Sequence, residues 1–177
     1  MEKERILWLD SIKCFAIILV VIGHIIQFIV FPDNFDLNPI YRFIYSFHMP
    51  LFFLLSGYVS DNKEMGGGKI WGKALQLLVP FCVWGFVNRF TFMQSYHPYI
   101  SIFKHPDYSL WFLWVLFIIY MTNYTSDYIA IEKNRSKSVF RLISCTLLFI
   151  IGNYVTASYG LGKVAQYAPF YYIGWLL

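Results

Sequence analysis

The feature that most restricts this chain is the length of its apolar runs. From Ile6 to Phe31 the only charged or basic side chains are Asp10, Lys13 and His24. A helix needs about 20 residues to cross the hydrocarbon core of a bilayer, and this stretch satisfies that length. Four further runs follow at approximately 41–60, 74–93, 108–125 and 139–157, and a sixth covers 164–177. Continuous runs of this length do not show the polar–apolar alternation of half-buried strands. The expectation is an all-α fold, a polytopic bundle of transmembrane helices occupying residues 1–177 as one domain.

Composition supports lipid as the solvent. Only 14% of the residues are charged while 58% are hydrophobic and 21% aromatic, and the mean hydropathy is +0.54. A soluble domain carries roughly 25% charged residues, so this chain lacks the polar surface that water requires. The net charge of +4 does not point to nucleic acid, because Lys and Arg sit in short loops and form no basic stripe. Cys14, Cys82 and Cys145 each lie inside an apolar run with no metal-ligand spacing, which reads as buried thiols and no metal site. The first run is longer than a signal-peptide core and lacks a small-residue cleavage site, so it reads as a retained helix.

Local chemistry marks the connections. Pro32, Asp33 and Asn34 stop the first helix, and Asn38-Pro39 precedes the second. Gly66, Gly67 and Gly68 read as a flexible turn before the third. His97-Pro98 and His105-Pro106 interrupt the approach to the fourth, and the polar run Asp127 to Ser138 separates the fourth from the fifth. With the N-terminus cytoplasmic, Lys3, Arg5, Lys63, Lys69, Lys73, Lys133, Arg135, Lys137 and Arg141 fall inside, whereas Arg42, Arg89, Lys104 and Lys163 fall outside. This excess of inner charge predicts a multi-pass protein of the cell membrane with its N-terminus in the cytoplasm.

Function is sought where the sequence accepts polar groups in lipid, since an ionisable side chain there is expensive unless it is paired or lines a wet cavity. Asp10 and Lys13 are three residues apart and share a helical face, either as a structural pair or as part of a polar site. Lys13 and His24 are eleven apart, which at about 100° per residue returns to nearly the same face, about 16 Å further along the axis. In an antiparallel neighbour, His48 of the segment Phe47-His48-Met49-Pro50 reaches a depth similar to that of His24. Pro50 predicts a kink that frees a backbone carbonyl near that site. Imidazole titrates near pH 6.5 and is suited to taking a proton from a hydroxyl, so His24 and His48 are the candidate catalytic pair. Arg89 either contacts an anionic group or snorkels to the interface, and Ser56-Gly57 reads as a close helix contact. Lys69 and Lys73 either meet a cytoplasmic phosphate or simply set topology.

At these residues the sequence closely resembles the membrane-bound acyltransferase family 3, which contains sugar and polysaccharide O-acetyltransferases and a fucose O-acetylase-like branch. The resemblance rests on Leu9 to Ile17 continuing to Val20-Val21-Ile22-Gly23-His24, where Lys13, ten intervening residues and His24 match the family's basic residue and histidine. The second block is Phe47-His48-Met49-Pro50 continuing to Ser56-Gly57-Tyr58; Leu110 to Leu113 and Pro169 to Gly174 are looser matches. Many relatives carry arginines before the third helix, where this chain has Lys69 and Lys73, which lack the bidentate guanidinium fork.

The resemblance implies the N-terminal half of a roughly ten-helix domain. It implies an acyl-coenzyme A donor on the cytoplasmic side, with acetyl-coenzyme A as the default, and no permanently bound cofactor. The acceptor would be a hydroxyl of a sugar, cell-surface glycan or lipid-linked saccharide on the outer side. In that scheme His24 is the base, His48 supports the acceptor, Lys13, Lys69 and Lys73 bind donor phosphate, and Asp10 and Arg89 are structural or acceptor-side residues. A transporter or translocator of a glycan-related substrate would use the same intramembrane polar residues as a pathway, and a noncatalytic fragment is the remaining alternative.

Overall fold

The structure, a computed structural model, describes residues 7–60, 67–92, 103, 106, 110–154 and 160–177, with the side chains of 67, 69 and 88–92 left aside. Its regular elements are all helical: α1 (Leu7–Ile25), α2 (Pro39–Tyr58), α3 (Gly67–Phe92), α4 (Trp111–Glu132), α5 (Lys137–Tyr154) and α6 (Leu161–Leu176). A π-helical turn, Ile26–Val30, extends α1, and a short 3-10 turn, Phe35–Leu37, leads toward α2. Two stretches are long and apolar enough to cross a membrane by length and composition, Leu7–Val30 and Ile70–Val87.

The start of α2 follows from local chemistry. Asn38 is its N-cap, and its side-chain oxygen accepts from the amides of Ile40 at 2.9 Å and Tyr41 at 3.1 Å. Pro39 stands at the first helical position, where a missing N–H is harmless. The helix therefore begins two residues before the expected 41, and it continues through Pro50 to Tyr58.

Three boundaries correct the sequence reading. Gly67 and Gly68 belong to α3 and not to a turn. The first-turn amides of a helix have no intrahelical acceptor, so two glycines there forfeit little and Lys69 and Lys73 become helical residues. The fourth helix runs to Glu132 instead of ending near 125, and the linker to α5 is reduced to 133–136. Asp127 is fully buried, and Arg141, counted by the sequence as a loop cation, is 1% exposed inside α5. Arg141 donates from Nε to Asp127 Oδ1 at 2.7 Å and from a terminal nitrogen to Oδ2 at 2.5 Å. Mutual neutralisation in a bidentate pair is what permits this polar stretch to be an interior helix surface. The expected end of the fifth helix at 157 lies outside the described residues, and α6 begins at Leu161 instead of 164.

α6 is the centre of the bundle, packing on α2, α4 and α5; α1 packs on α2 and α3 on α4. Met49 and Phe53 of α2, Val115 and Ile119 of α4, and Val164, Tyr167, Ala168 and Tyr171 of α6 form the buried core. The α2–α6 contact is backbone to backbone. A methyl group on Gly57 would collide with the Tyr171 carbonyl, and one on Gly174 with the Leu54 carbonyl. Small residues that let helix backbones meet are the device of membrane interiors, where lipid offers no hydrophobic drive to associate. The outward faces are correspondingly apolar. Phe15, Ile18, Val21 and Ile29 of α1 and its π-helical extension, and Leu142, Leu147, Phe149 and Ile151 of α5, are all exposed. A continuous apolar exterior on helices whose backbone groups are internally bonded is suited to acyl chains and unsuited to water.

Candidate active site

α1 and α2 approach each other at Gly23, where an added Cβ would meet the ring of Tyr45 at 2.7 Å. That approach places His24, one residue further along α1, beside the face of α2 that carries Tyr41, Tyr45 and His48. The two histidines line one cavity of about 450 Å³, closed by Trp111 and Phe112 of α4 and by Lys163 and Tyr167 of α6. Four helices thus contribute to it, and none of its lining residues is a carboxylate.

His48 is 2% exposed. Its Nδ1 lies 2.8 Å from the carbonyl oxygen of Ile44, one turn earlier. A carbonyl only accepts, so Nδ1 carries the proton in the neutral ring and Nε2 presents a lone pair. The ring is braced edge-on by Tyr45, with centroids 4.5 Å apart. Tyr45 stacks on Tyr41 at 4.0 Å and donates its hydroxyl to Gln27 Oε1 at 3.3 Å. This chain of contacts ties the π-helical turn after α1 to α2 and holds the His48 tautomer and orientation. His24 is half-buried, with its ring 5.8 Å from Phe28. The arrangement offers a proton acceptor of fixed orientation and a second imidazole inside a largely apolar, aromatic space, where a polar reaction is shielded from water.

The structure brings His24 and His48 together and leaves the other candidates elsewhere. Lys13 is half-buried on α1 and Asp10 exposed, and neither lines the cavity. Lys73 borders a second, smaller cavity of about 60 Å³ with Ser60, Tyr120 and Tyr171. Its ammonium reaches Gln76 Oε1 at 3.3 Å and lies 5.9 Å from the Tyr120 ring centroid. Lys69 and Arg89 fall within α3, but their side chains lie outside the described residues, as do His97 and His105. Sequence reasoning assigned no place in the site to Gln27, Tyr45, Trp111, Tyr167 and above all Lys163. That lysine was assigned to the outer loop charges because its helix was expected to begin at 164; it stands in the first turn of α6 with Nζ 3.9 Å from the centroid of the Trp111 ring.

The fold is thus a helical bundle with apolar outward faces, and two imidazoles line one largely aromatic cavity within it. The chain belongs to a membrane acyltransferase family: the family profile described as "Acyltransferase domain" matches residues 6–177. Among curated proteins it is similar to the nodulation protein NolL of Mesorhizobium japonicum, at 29% identity over 187 aligned positions that cover 98% of this chain and 48% of the relative. It is also similar to NolL of Sinorhizobium fredii, at 31% identity over 126 positions covering 64% of this chain and 34% of the relative. The chain therefore spans about half or less of the length of these relatives. No solved structure matches it.

Proposed function

We propose that the protein is an integral membrane O-acyltransferase that moves an acyl group, acetyl by default, from acyl-coenzyme A to a hydroxyl of a sugar, glycan or lipid-linked saccharide. Family membership supports acyl transfer. The observation that carries the site is the shared cavity of His24 and His48, with His48 Nδ1 committed to the Ile44 carbonyl. In this reading His24 takes the proton of the acceptor hydroxyl as its oxygen attacks the thioester carbonyl. His48 accepts a hydrogen bond at Nε2 and orients the acceptor. The tetrahedral adduct then collapses, the carbon–sulfur bond breaks, and the thiolate leaves with the proton held by His24, giving ester and free coenzyme A.

The chain forms part of a larger polytopic domain of roughly ten helices in the cell membrane, with its N-terminus cytoplasmic. The donor enters from that side. In this reading Lys13, half-buried on α1 about 16 Å from His24 along the axis, and Lys73, beside its own small cavity, bind the donor phosphates. Lys69 joins them, and Asp10 and Arg89 take structural or acceptor-side roles.

The test is transfer of radiolabelled acetyl from acetyl-coenzyme A to glycan material in membranes containing the full-length protein. His24→Ala is expected to abolish transfer while the protein remains folded and membrane-inserted. Equal transfer by both proteins would remove His24 from the chemistry, and substrate flux without covalent labelling would replace the enzyme with a translocator.

A further inference from the structure

Lys163 is the one lysine or arginine among the residues lining the histidine cavity. The others that can hydrogen-bond, His24, Gln27, Tyr41, Tyr45, His48 and Tyr167, are neutral or able to be so. A lysine near a membrane surface normally extends its ammonium toward headgroups and water. This one does the opposite: it turns inward from the first turn of α6, is half-buried, and rests on the Trp111 face at 3.9 Å. Among the described residues no carboxylate pairs with it, and an aromatic face is the weaker partner for an ammonium in a desolvated space. A cation held in an apolar cavity with no counter-ion attracts an anion more strongly than the same group in water.

We propose that Lys163 is a specificity-determining residue that selects an acceptor carrying an anionic group, a carboxylate on the sugar itself, as in a uronic acid. The proposal deepens the acyl-transfer reading, on which it rests for the bound sugar being an acceptor. The aromatic rings of Trp111 and Tyr167 supply apolar faces for a pyranose. Gln27 and Tyr45 supply neutral hydrogen-bonding groups for its hydroxyls, and the carboxylate takes the place of the Trp111 ring as partner of the ammonium. The acidic end is then anchored on α6 while a free hydroxyl faces the α1–α2 wall that holds the histidines.

The test reads binding without any acyl donor, so its outcome is independent of whether acyl transfer is observed. Titration calorimetry of the full-length protein in detergent compares 4-nitrophenyl β-D-glucuronide with 4-nitrophenyl β-D-glucoside, which differ only in carboxylate against hydroxymethyl. The wild type is expected to bind the glucuronide at least tenfold more tightly. In Lys163→Met that ratio falls toward one, and in Lys163→Arg the preference persists; because each ratio is internal to one protein preparation, loss of folded material does not imitate the effect. Equal affinities in the wild type, a preference that survives Lys163→Met, or no measurable glucuronide binding would overturn the proposal. Tighter binding of 4-nitrophenyl phosphate than of the glucuronide would also overturn it, reassigning the charge to a phosphate-bearing ligand.

Discussion

Two residues illustrate how a buried polar group is made tolerable in this interior. His48 donates its Nδ1–H to the Ile44 carbonyl, which leaves Nε2 as the acceptor of a ring that lines the cavity. Misplacing a reactant by about 1 Å can cost about 10²-fold in rate, so His48→Ala, which removes the group proposed to orient the acceptor, is expected to lower kcat by about that factor. Steady-state kinetics with varied acceptor at saturating acyl-coenzyme A checks this: an unchanged kcat with only a raised KM for the acceptor would confine His48 to binding. Arg141 solves the same problem with charge, clamped by Asp127 and lying 4.1 Å from the centroid of the Trp175 ring, while its other terminal nitrogen is buried without a partner. Asp127→Ala leaves that guanidinium uncompensated and is expected to destabilise by about 3 to 5 kcal/mol, whereas the double change Asp127→Leu with Arg141→Met recovers most of the loss. Denaturation in detergent distinguishes the two, and a neutral Asp127→Ala would show that the pair is not what holds α4 to α5. The histidine pair was legible in the sequence because 100° per residue and 1.5 Å per residue bring His24 and His48 to one depth in antiparallel helices. The ion pair was not: Asp127 opens the polar run that imitates a loop, Arg141 was counted only as an inner charge near the start of the fifth run, and only three-dimensional pairing makes them an interior surface.

At the scale of elements, glycine has opposite meanings in different helices. On α2, Gly57 lies against the α6 backbone, and a methyl group there has nowhere to go. On α3, a methyl group on Gly72 would meet nothing within 4 Å. Gly57→Ala is therefore expected to cost about 1 to 3 kcal/mol or more through overpacking, while Gly72→Ala stabilises by about 0.5 to 1 kcal/mol through helix propensity. Thermal unfolding of the two variants in the same detergent reads the difference in sign, and a shared sign would contradict the close α2–α6 approach. Run length located the six long helices of the described residues, because apolar length is a one-dimensional property. Their ends were less legible: the Asn38 cap and Pro39 extended α2 backward, the first-turn glycines of α3 passed for a turn, and Lys163 was excluded from α6 by a single residue.

For the whole molecule, the proposed orientation makes a prediction about access. Removal of Cys14, Cys82 and Cys145 leaves single introduced cysteines as reporters. Asn34→Cys, between α1 and α2, is expected to react with a membrane-impermeant maleimide in intact cells. Ser136→Cys, between α4 and α5, is expected to react only after permeabilisation. Labelling of both from outside, or of neither, would overturn the cytoplasmic N-terminus or the number of crossings between them. The central position of α6 also bears on biogenesis. The ribosome delivers α1 and α2 first, with both histidines, yet the walls contributed by Lys163 and Tyr167 and the backbone seat for Gly57 arrive more than a hundred residues later. On a growing chain the cavity shared by His24 and His48 therefore lacks one of its walls until α6 has been made, so the order of synthesis puts both histidines well ahead of the residues that face them from α6.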